Sequence, residues 1–314
     1  MADEHPLFKS TRVGARPSPI SILRNEKMLW MGSCFVESMS KFLEQYQYQA
    51  IINPFGVIFH PMVLEKLLAM EAIEIFKCNF ERRGVWQNFW LGAPFGAESE
   101  NALNHKIENA ARLINESILT SNWLVMTWGT AFWYAHEEKG MVGKCHKFPQ
   151  NHFQKQLSTI EEIVEIWKER ITRIRQKNPK LKVLLTVSPV RHTRDGLEGN
   201  AISKSTMRLA IMQLQSKLKD VFYFPAFEIV VDELRDYRFF NADLIHPNNE
   251  AAAYIWNQFS NQYFTPEDQK INALIRDISL QQQHVSNINF GEDYDAQMRS
   301  LNLKKESLAA KLKP

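Results

Sequence analysis

The stretch KMLWMGSCFVESMSKFLEQY, residues 27–46, decides the fold class. It begins with a short apolar run, Lys27 to Met31, that has the length and composition of a buried strand. After Gly32, apolar side chains recur at helical spacing, at Phe35, Val36, Met39, Phe42, Leu43 and Tyr46. The stretch therefore predicts a strand, a tight turn over residues 32–34, and a helix.

The same alternation continues along the chain. A capping box formed by Ser158 and Glu161 predicts a further helix start, and Asn248 or Asn249 caps the last helix of the domain. Residues 80–97 are aromatic and broken by glycines, which indicates a hairpin or loop. Further strands are predicted at 49–52, 122–127, 181–187 and 221–224, and helices from about 61 and at 98–119, 201–218 and 250–259. Strands that alternate with helices predict a parallel sheet with helices on both faces.

Length and composition limit the class of protein. The 314 residues suit one or two domains, and we expect one domain over residues 20–264 and a helical tail over residues 265–314. A net charge of +3 is too balanced for a nucleic-acid-binding protein. No apolar run is long enough to span a membrane, and the first residues lack the apolar core of a signal peptide, so we expect a cytoplasmic protein. The 3 cysteines are far apart and predict no disulfide framework.

Small, polar or ionisable residues follow the predicted strands. In a parallel sheet, ligands bind at the carboxyl ends of the strands. The residues in question are Cys34 after the first strand, Asn53 and Gly56 after the second, Gly129 and Thr130 after the third, residues 188–192 after the fourth, and Asp243 and His246 before the last helix. These positions predict a site at one edge of the sheet.

Cys34 is a candidate nucleophile because it opens a helix. Free backbone N–H groups and the helix dipole at this end depress a thiol pKa and stabilise an oxyanion. We therefore expect the Cys34 thiol to have a pKa below its usual value of about 8.5. The structural alternative is that Cys34 is a small buried apolar residue, which is the commonest role of a cysteine.

Asp243 and His246 are a candidate orienting acid and general base. A carboxylate three residues before a histidine can accept from one ring nitrogen and leave the other to move a proton. The structural alternative is an aspartate that caps a turn beside an exposed histidine. Cys145 and His146 suggest a metal ligand pair, but no second pair has zinc spacing, so we expect no metal.

A series of ordered motifs resembles the GSCFA family. The residues that carry the resemblance are Met31-Gly32-Ser33-Cys34-Phe35-Val36, Asn53-Pro54-Phe55-Gly56, Thr127-Trp128-Gly129-Thr130-Ala131, Cys145-His146-Lys147, Thr186 to His192, Asn200 to Lys204, Tyr223 to Glu228, Asp236-Tyr237-Arg238-Phe239 and Asp243-Leu244-Ile245-His246-Pro247. Val36 stands where the family motif has alanine. The resemblance covers about residues 20–262 and leaves the tail outside.

This family is grouped with the SGNH (GDSL-like) hydrolases, and the resemblance implies their flavodoxin-like three-layer α/β/α sandwich and their ester hydrolysis or acyl transfer on acylated sugars or lipids. In register with the superfamily motif, Cys34 is the nucleophile; a shift of one residue makes it Ser33. Asp243 and His246 match the last motif. The implied oxyanion donors are the amides of Cys34 and Gly56 together with Gly129 and the Thr130 hydroxyl, because the asparagine expected after Gly129 is missing.

Other polar residues of these motifs are predicted to bind substrate. They are Asn53, His146, Arg191, His192, Asn200 and Lys204. Arg191 and Lys204 would hold an anionic group; alternatively Arg191 pairs with Asp195 or Glu198 and fixes its loop. The resulting hypothesis is an esterase or acyltransferase that acts on a small molecule or saccharide without cofactor. The competing hypothesis is an SGNH-fold binding or scaffold protein with a decayed site.

Overall fold

A parallel five-stranded sheet forms the centre of the molecule. The computed structural model describes residues 11–14, 18–286 and 292–312. The strands are β1 (Met28–Gly32), β2 (Ala50–Ile52), β5 (Trp123–Trp128), β9 (Lys182–Val187) and β10 (Val221–Tyr223), in the spatial order β10-β9-β5-β1-β2. This is the flavodoxin-like order, in which the chain turns back between β1 and β5. The predicted fold class is confirmed.

Helices cover both faces of this sheet. They are α1 (Cys34–Gln45), α2 (Pro61–Ala69), α3 (Ala72–Phe76), α4 (Glu100–Thr120), α5 (Ile160–Lys177), α6 (Gly196–Lys217), α7 (Ala226–Glu228), α8 (Asn249–Tyr263), α9 (Pro266–Ser286) and α10 (Glu292–Lys311). One apolar core joins the sheet to α2, α4, α5 and α6, and the other joins it to α1 and α8. Strand side chains alternate between the two cores, and β1 and β5 are therefore buried along their whole length.

The described part of the tail consists of the two helices α9 and α10, as the prediction of a helical tail implies. Its apolar residues Ile271, Ile275, Ile278 and Leu301 are buried in the same core as α1 and α8. The tail therefore packs on the sheet domain. No helix within the described ranges is long and apolar enough to cross a membrane.

Some predicted boundaries are wrong. The capping box of α5 is formed by Thr159 and Glu162, one residue later than predicted, and Ser158 instead donates its N–H to the Ala131 carbonyl at 3.0 Å. Helix α6 begins at Gly196 rather than at 201. Asn248 caps α8 by accepting from the Ala251 N–H.

Two small antiparallel sheets accompany the central one. The predicted hairpin pairs β3 (Asn79–Arg82) with β4 (Val85–Asn88). A three-stranded sheet of β6 (Phe132–His136), β7 (Gly140–Val142) and β8 (Phe153–Leu157) follows the exit of β5 and was not predicted. Its strands are short and mostly half-buried or exposed, so their sequences lack the long apolar runs that indicated the central strands.

Candidate active site

The exits of β1, β5 and β9 lie side by side at the carboxyl edge of the sheet. Gly32 pairs with Thr127, and Thr127 pairs with Thr186, so the three strands end in register. Gly32 has a φ of +136°, and a Cβ there would lie 2.1 Å from the Thr127 carbonyl oxygen. Only glycine fits this close approach. The turn that follows is thereby held tightly against β5.

Ser33 and Cys34 have different roles in this turn. Ser33 is only 1% exposed, and its Oγ caps α1 by accepting from the Phe35 N–H at 3.3 Å. Its own N–H donates to the Thr127 carbonyl at 3.0 Å. Cys34 is the first residue of α1 and is half-buried. Of the two predicted nucleophiles, Cys34 is the one that the structure leaves accessible.

The expectation of a depressed Cys34 pKa is wrong. Burial raises the pKa of the thiol, and the Glu37 carboxylate adds to the increase. The Cys34 N–H and the cations of Lys204 and Lys144 act in the opposite direction without reversing the shift. Cys34 is therefore a protonated thiol at rest, and it needs a base to become a nucleophile.

Two lysines whose pKa values are lowered act electrostatically on this thiol. Lys144 places its Nζ 4.1 Å from the centre of the Phe59 ring, and burial lowers its pKa to about 8. Lys204 is 1% exposed and donates to the carbonyls of Gly129 at 2.6 Å and Ser188 at 2.7 Å. Burial lowers its pKa to about 7, while Cys34 raises it. Lys204 therefore fastens the exits of β5 and β9 together.

Asp243 and His246 form the predicted pair. The Asp243 Oδ2 lies 2.7 Å from His246 Nδ1, and Oδ1 accepts the N–H groups of Ile245 and His246 at 2.9 and 3.0 Å. These hydrogen bonds lower the pKa of Asp243 to about 2. Because an ionised carboxylate only accepts, the His246 proton lies on Nδ1 and leaves Nε2 with a free lone pair. This is the tautomer that a general base requires.

The loop that carries this pair lies against the exit of β9. The Arg191 N–H donates to the Ile245 carbonyl at 3.4 Å, and its guanidinium donates to the Leu244 carbonyl at 3.5 Å. The same guanidinium lies 4.5 Å from the centre of the Phe240 ring. Asp195, one of the two predicted partners of Arg191, pairs instead with Lys155. Arg191 thus connects β9 to the Asp243–His246 loop.

His192 stands at the centre of the charged groups. Burial, together with the positive charges of Lys204, His246 and Lys144, lowers its pKa to about 3. Its ring packs edge-on against Phe59, with ring centres 5.4 Å apart. The same two lysines act on the pKa of Cys34, whereas His246 acts on that of His192.

Several predicted oxyanion donors are already engaged. The Gly56 N–H donates to the Asn53 carbonyl at 2.7 Å, which closes the turn after β2. The N–H groups of Gly129 and Thr130 both donate to the Phe59 carbonyl, at 2.7 and 3.2 Å. The fold itself therefore uses both glycine amides, which argues against their role as oxyanion donors. The Thr130 hydroxyl shares a 3.1 Å hydrogen bond with Ser203 Oγ.

The remaining predicted substrate-binding residues mainly hold the rim in place. Asn53 Oδ1 accepts from the Gly32 N–H at 2.8 Å, and Asn200 Oδ1 accepts from the His192 N–H at 2.9 Å. His146 is fixed on the β3–β4 hairpin, where each ring nitrogen lies 2.8 Å from an oxygen of Gln87 or Asn88. Lys204 is enclosed, so its predicted contact with an anionic substrate does not agree with its position.

Sequence reasoning missed Lys144. It directly precedes the quoted Cys145-His146-Lys147 motif, but a single lysine in a loop carries no pattern of its own. A cavity of about 530 Å³ lies on the side of α8 and α9 and includes none of the candidate catalytic residues. We place the site at the rim because β1, β5 and β9 end there in register and the Asp243–His246 loop is bonded to the exit of β9. Within the described residues, no cluster of three or more His, Cys, Asp or Glu side chains is arranged to hold a metal ion.

Comparisons with known proteins identify one family. The model of the GSCFA family matches residues 27–259. No curated protein matches the chain.

Three solved carbohydrate esterases resemble the structure. One, of family 3 from Talaromyces cellulolyticus, has 9% identity over 80% of this chain and 99% of its own, with a TM-score of 0.37. A family 2 enzyme from Corynascus thermopiles has 10% identity over 77% of this chain and 66% of its own, with a TM-score of 0.38. A family 2 esterase from Clostridium thermocellum has 12% identity over 78% of this chain and 64% of its own, with a TM-score of 0.37.

Proposed function

The chain belongs to the GSCFA family, and we propose that it is an esterase or acyltransferase with a Cys34–His246–Asp243 catalytic triad. The substrate class implied by the family motifs is an acylated carbohydrate or lipid. The reaction needs neither metal nor cofactor, because thiol, imidazole and carboxylate supply the nucleophile and the proton transfers.

The single observation that carries this proposal is the Asp243–His246 pair. An ionised carboxylate fixes the imidazole with Nε2 free, on a loop that is attached to the same sheet edge as Cys34. A turn cap needs only the two hydrogen bonds that Asp243 Oδ1 accepts from backbone N–H groups. The additional ring hydrogen bond at 2.7 Å gives the histidine a defined orientation and tautomer.

The first half of the reaction forms a thioester. His246 Nε2 removes the thiol proton as Cys34 Sγ attacks the ester carbonyl carbon, and the carbonyl π electrons move to the oxygen. The tetrahedral intermediate collapses, the bond to the alkoxide breaks, and the alkoxide takes the proton from His246. The raised pKa of Cys34 makes this base necessary, and the Lys144 cation favours the thiolate as it forms.

The second half releases the acyl group. A water molecule, or a hydroxyl of an acceptor sugar, loses its proton to His246 and attacks the thioester carbonyl carbon. The Cys34 thiolate then leaves and recovers the proton from His246. Water as acceptor gives an esterase and a sugar hydroxyl gives an acyltransferase, so the same residues serve both reactions.

The test uses p-nitrophenyl acetate, alone and with added sugars as acceptors. We expect release of p-nitrophenol and a mass increase of one acetyl group on the peptide that contains Cys34. Cys34→Ala should abolish both, whereas Ser33→Ala should keep the acetylation and lose only stability, about 1 kcal/mol for a helix cap. Acetylation that survives in Cys34→Ala and disappears in Ser33→Ala would transfer the nucleophile to Ser33. A wild-type protein that is never acylated would favour the binding or scaffold alternative.

A further inference from the structure

We propose that the side-chain amide of Asn53 is an oxyanion donor of this site, an inference that rests on the proposed acyl-transfer function. Asn53 directly follows β2, the strand that pairs with β1. Both strands end at the edge of the sheet where Cys34 lies. The Cys34 N–H supplies the other donor, since the first N–H groups of a helix have no acceptor within it.

One hydrogen bond fixes the orientation of the Asn53 amide. The Gly32 N–H lies 2.8 Å from Asn53 Oδ1. Because a backbone N–H can only donate, the atom facing it must be the carbonyl oxygen, and the NH₂ group points the other way. Gly32 is two residues from Cys34, so the amide is held at the base of the turn that presents the nucleophile.

The NH₂ group has no hydrogen-bond partner among the residues that the structure describes. Asn53 is 8% exposed, and its Nδ2 is a buried donor without a hydrogen-bond acceptor. Buried polar groups in folded proteins are rarely left in this state. A donor that is fixed, shielded from water and unpaired is suited to a negative charge that exists only during the reaction.

The other candidate donors already make backbone hydrogen bonds, which supports this assignment. Gly56 donates to the Asn53 carbonyl, and Gly129 and Thr130 donate to the Phe59 carbonyl. The Asn53 backbone also has a φ of 42°, a left-handed conformation that asparagine tolerates better than most residues. The residue type therefore fits both the backbone and the chemistry.

Asn53→Asp is the most direct test. The carboxylate keeps an acceptor for the Gly32 N–H and tolerates the backbone, but it removes the donor. Asn53→Gly also tolerates a positive φ and removes the amide without adding charge. With p-nitrophenyl acetate we expect kcat to fall by about 10²–10³-fold in both variants, with KM little changed.

Alkylation of Cys34 by iodoacetamide provides the control, because it needs the thiolate but forms no oxyanion. Its limiting rate at high pH should be unchanged in both variants. A kcat within about threefold of wild type, while Cys34→Ala is inactive, would overturn the role of Asn53 and leave the proposed function intact. A parallel loss of alkylation would show a structural role only and would also overturn it. A wild-type protein without activity would overturn the proposed function itself and this inference with it.

Discussion

The two sides of the candidate site are built in different ways. On the sheet side, Ser33 and Lys204 are each 1% exposed, and their hydrogen bonds join the exits of neighbouring strands. On the loop side, the side chains of Asp243 and His246 are both 45% exposed. The nucleophile is thus positioned by the interior of the protein, whereas the base is positioned by a surface loop.

This difference predicts two kinds of mutational effect. Substitutions on the sheet side remove buried interactions and should mainly change the free energy of unfolding. Substitutions on the loop side break interactions that solvent already screens, so they should mainly change catalysis. A variant of one side with the signature of the other would contradict this division.

Asp243→Asn should give the largest effect. The amide no longer selects the Nδ1 tautomer of His246, so Nε2 loses its role as base, and kcat should fall by about 10³–10⁴-fold. Because Asp243 is exposed, the melting temperature should change little. Asp236→Asn is the matched control, since Asp236 also caps a backbone N–H, that of Arg238. Steady-state kinetics on both variants measure the contrast, and equal losses in the two would remove the special role of Asp243.

Lys204→Met should produce the opposite signature. It leaves the Gly129 and Ser188 carbonyls without their donor, which costs about 1–3 kcal/mol for each unsatisfied buried group, less the relief from a buried charge. We expect a loss of about 3 kcal/mol in the free energy of unfolding, measured by urea denaturation. Lys77→Met, which removes an exposed pair with Glu74, should cost less than about 1 kcal/mol. If Lys204→Met were stable but inactive, Lys204 would have a catalytic role rather than a structural one.

The sequence predicted the sheet side better than the loop side in physical detail. Apolar runs such as residues 181–187 indicate buried strands directly, and the parallel order then brings Cys34 and Gly129 to one edge. The pairing of Asp243 with His246 was also predictable, because both residues lie within one turn. These features depend on local pattern or on a general rule of topology.

The engagement of individual donors was not predictable. The Gly56 N–H is occupied by the hydrogen bond that closes one turn. The Gly129 N–H is occupied by the carbonyl of Phe59, seventy residues earlier in the chain. The prediction of a depressed Cys34 pKa was wrong for a related reason. Helix position favours the thiolate, but burial and Glu37, which only the folded chain defines, oppose it more strongly.

Acid should lower the free energy of unfolding through protonation of His60. Its Nδ1 accepts from the Met62 N–H at 3.1 Å, its Nε2 lies 3.0 Å from the Ala131 carbonyl, and burial lowers its pKa to about 4. The unfolded chain, with a histidine pKa of about 6.5, binds the proton more readily, so stability falls as the pH decreases from about 6.5 to 4. The expected contribution is about 3 kcal/mol by pH 4.

Urea denaturation at pH 7 and pH 4 measures this effect, with His60→Asn as the comparison. Asparagine can still cap α2 but does not titrate, so the variant should be less stable at pH 7 and should lose less stability on acidification. His105→Asn, at an exposed position, is the control and should keep the wild-type pH dependence. If wild type and His60→Asn lose the same stability between the two pH values, His60 is not the acid-sensitive group.

Arg191 joins the two sides, and its replacement should have the smallest effect of the four. Its guanidinium stacks over Phe240 and bonds the Leu244 carbonyl, so it sets where the loop holds His246 without touching the reaction. Arg191→Ala should lower kcat about tenfold through a small displacement of the base, with KM unchanged for charged and neutral esters alike. Arg191→Lys keeps the charge but lacks the planar group, so it should restore little of the rate. Arg194→Ala, in the same loop, is the control. A rise in KM confined to anionic substrates would instead support the prediction that Arg191 binds substrate, and the loop would then be held to the sheet by its backbone alone.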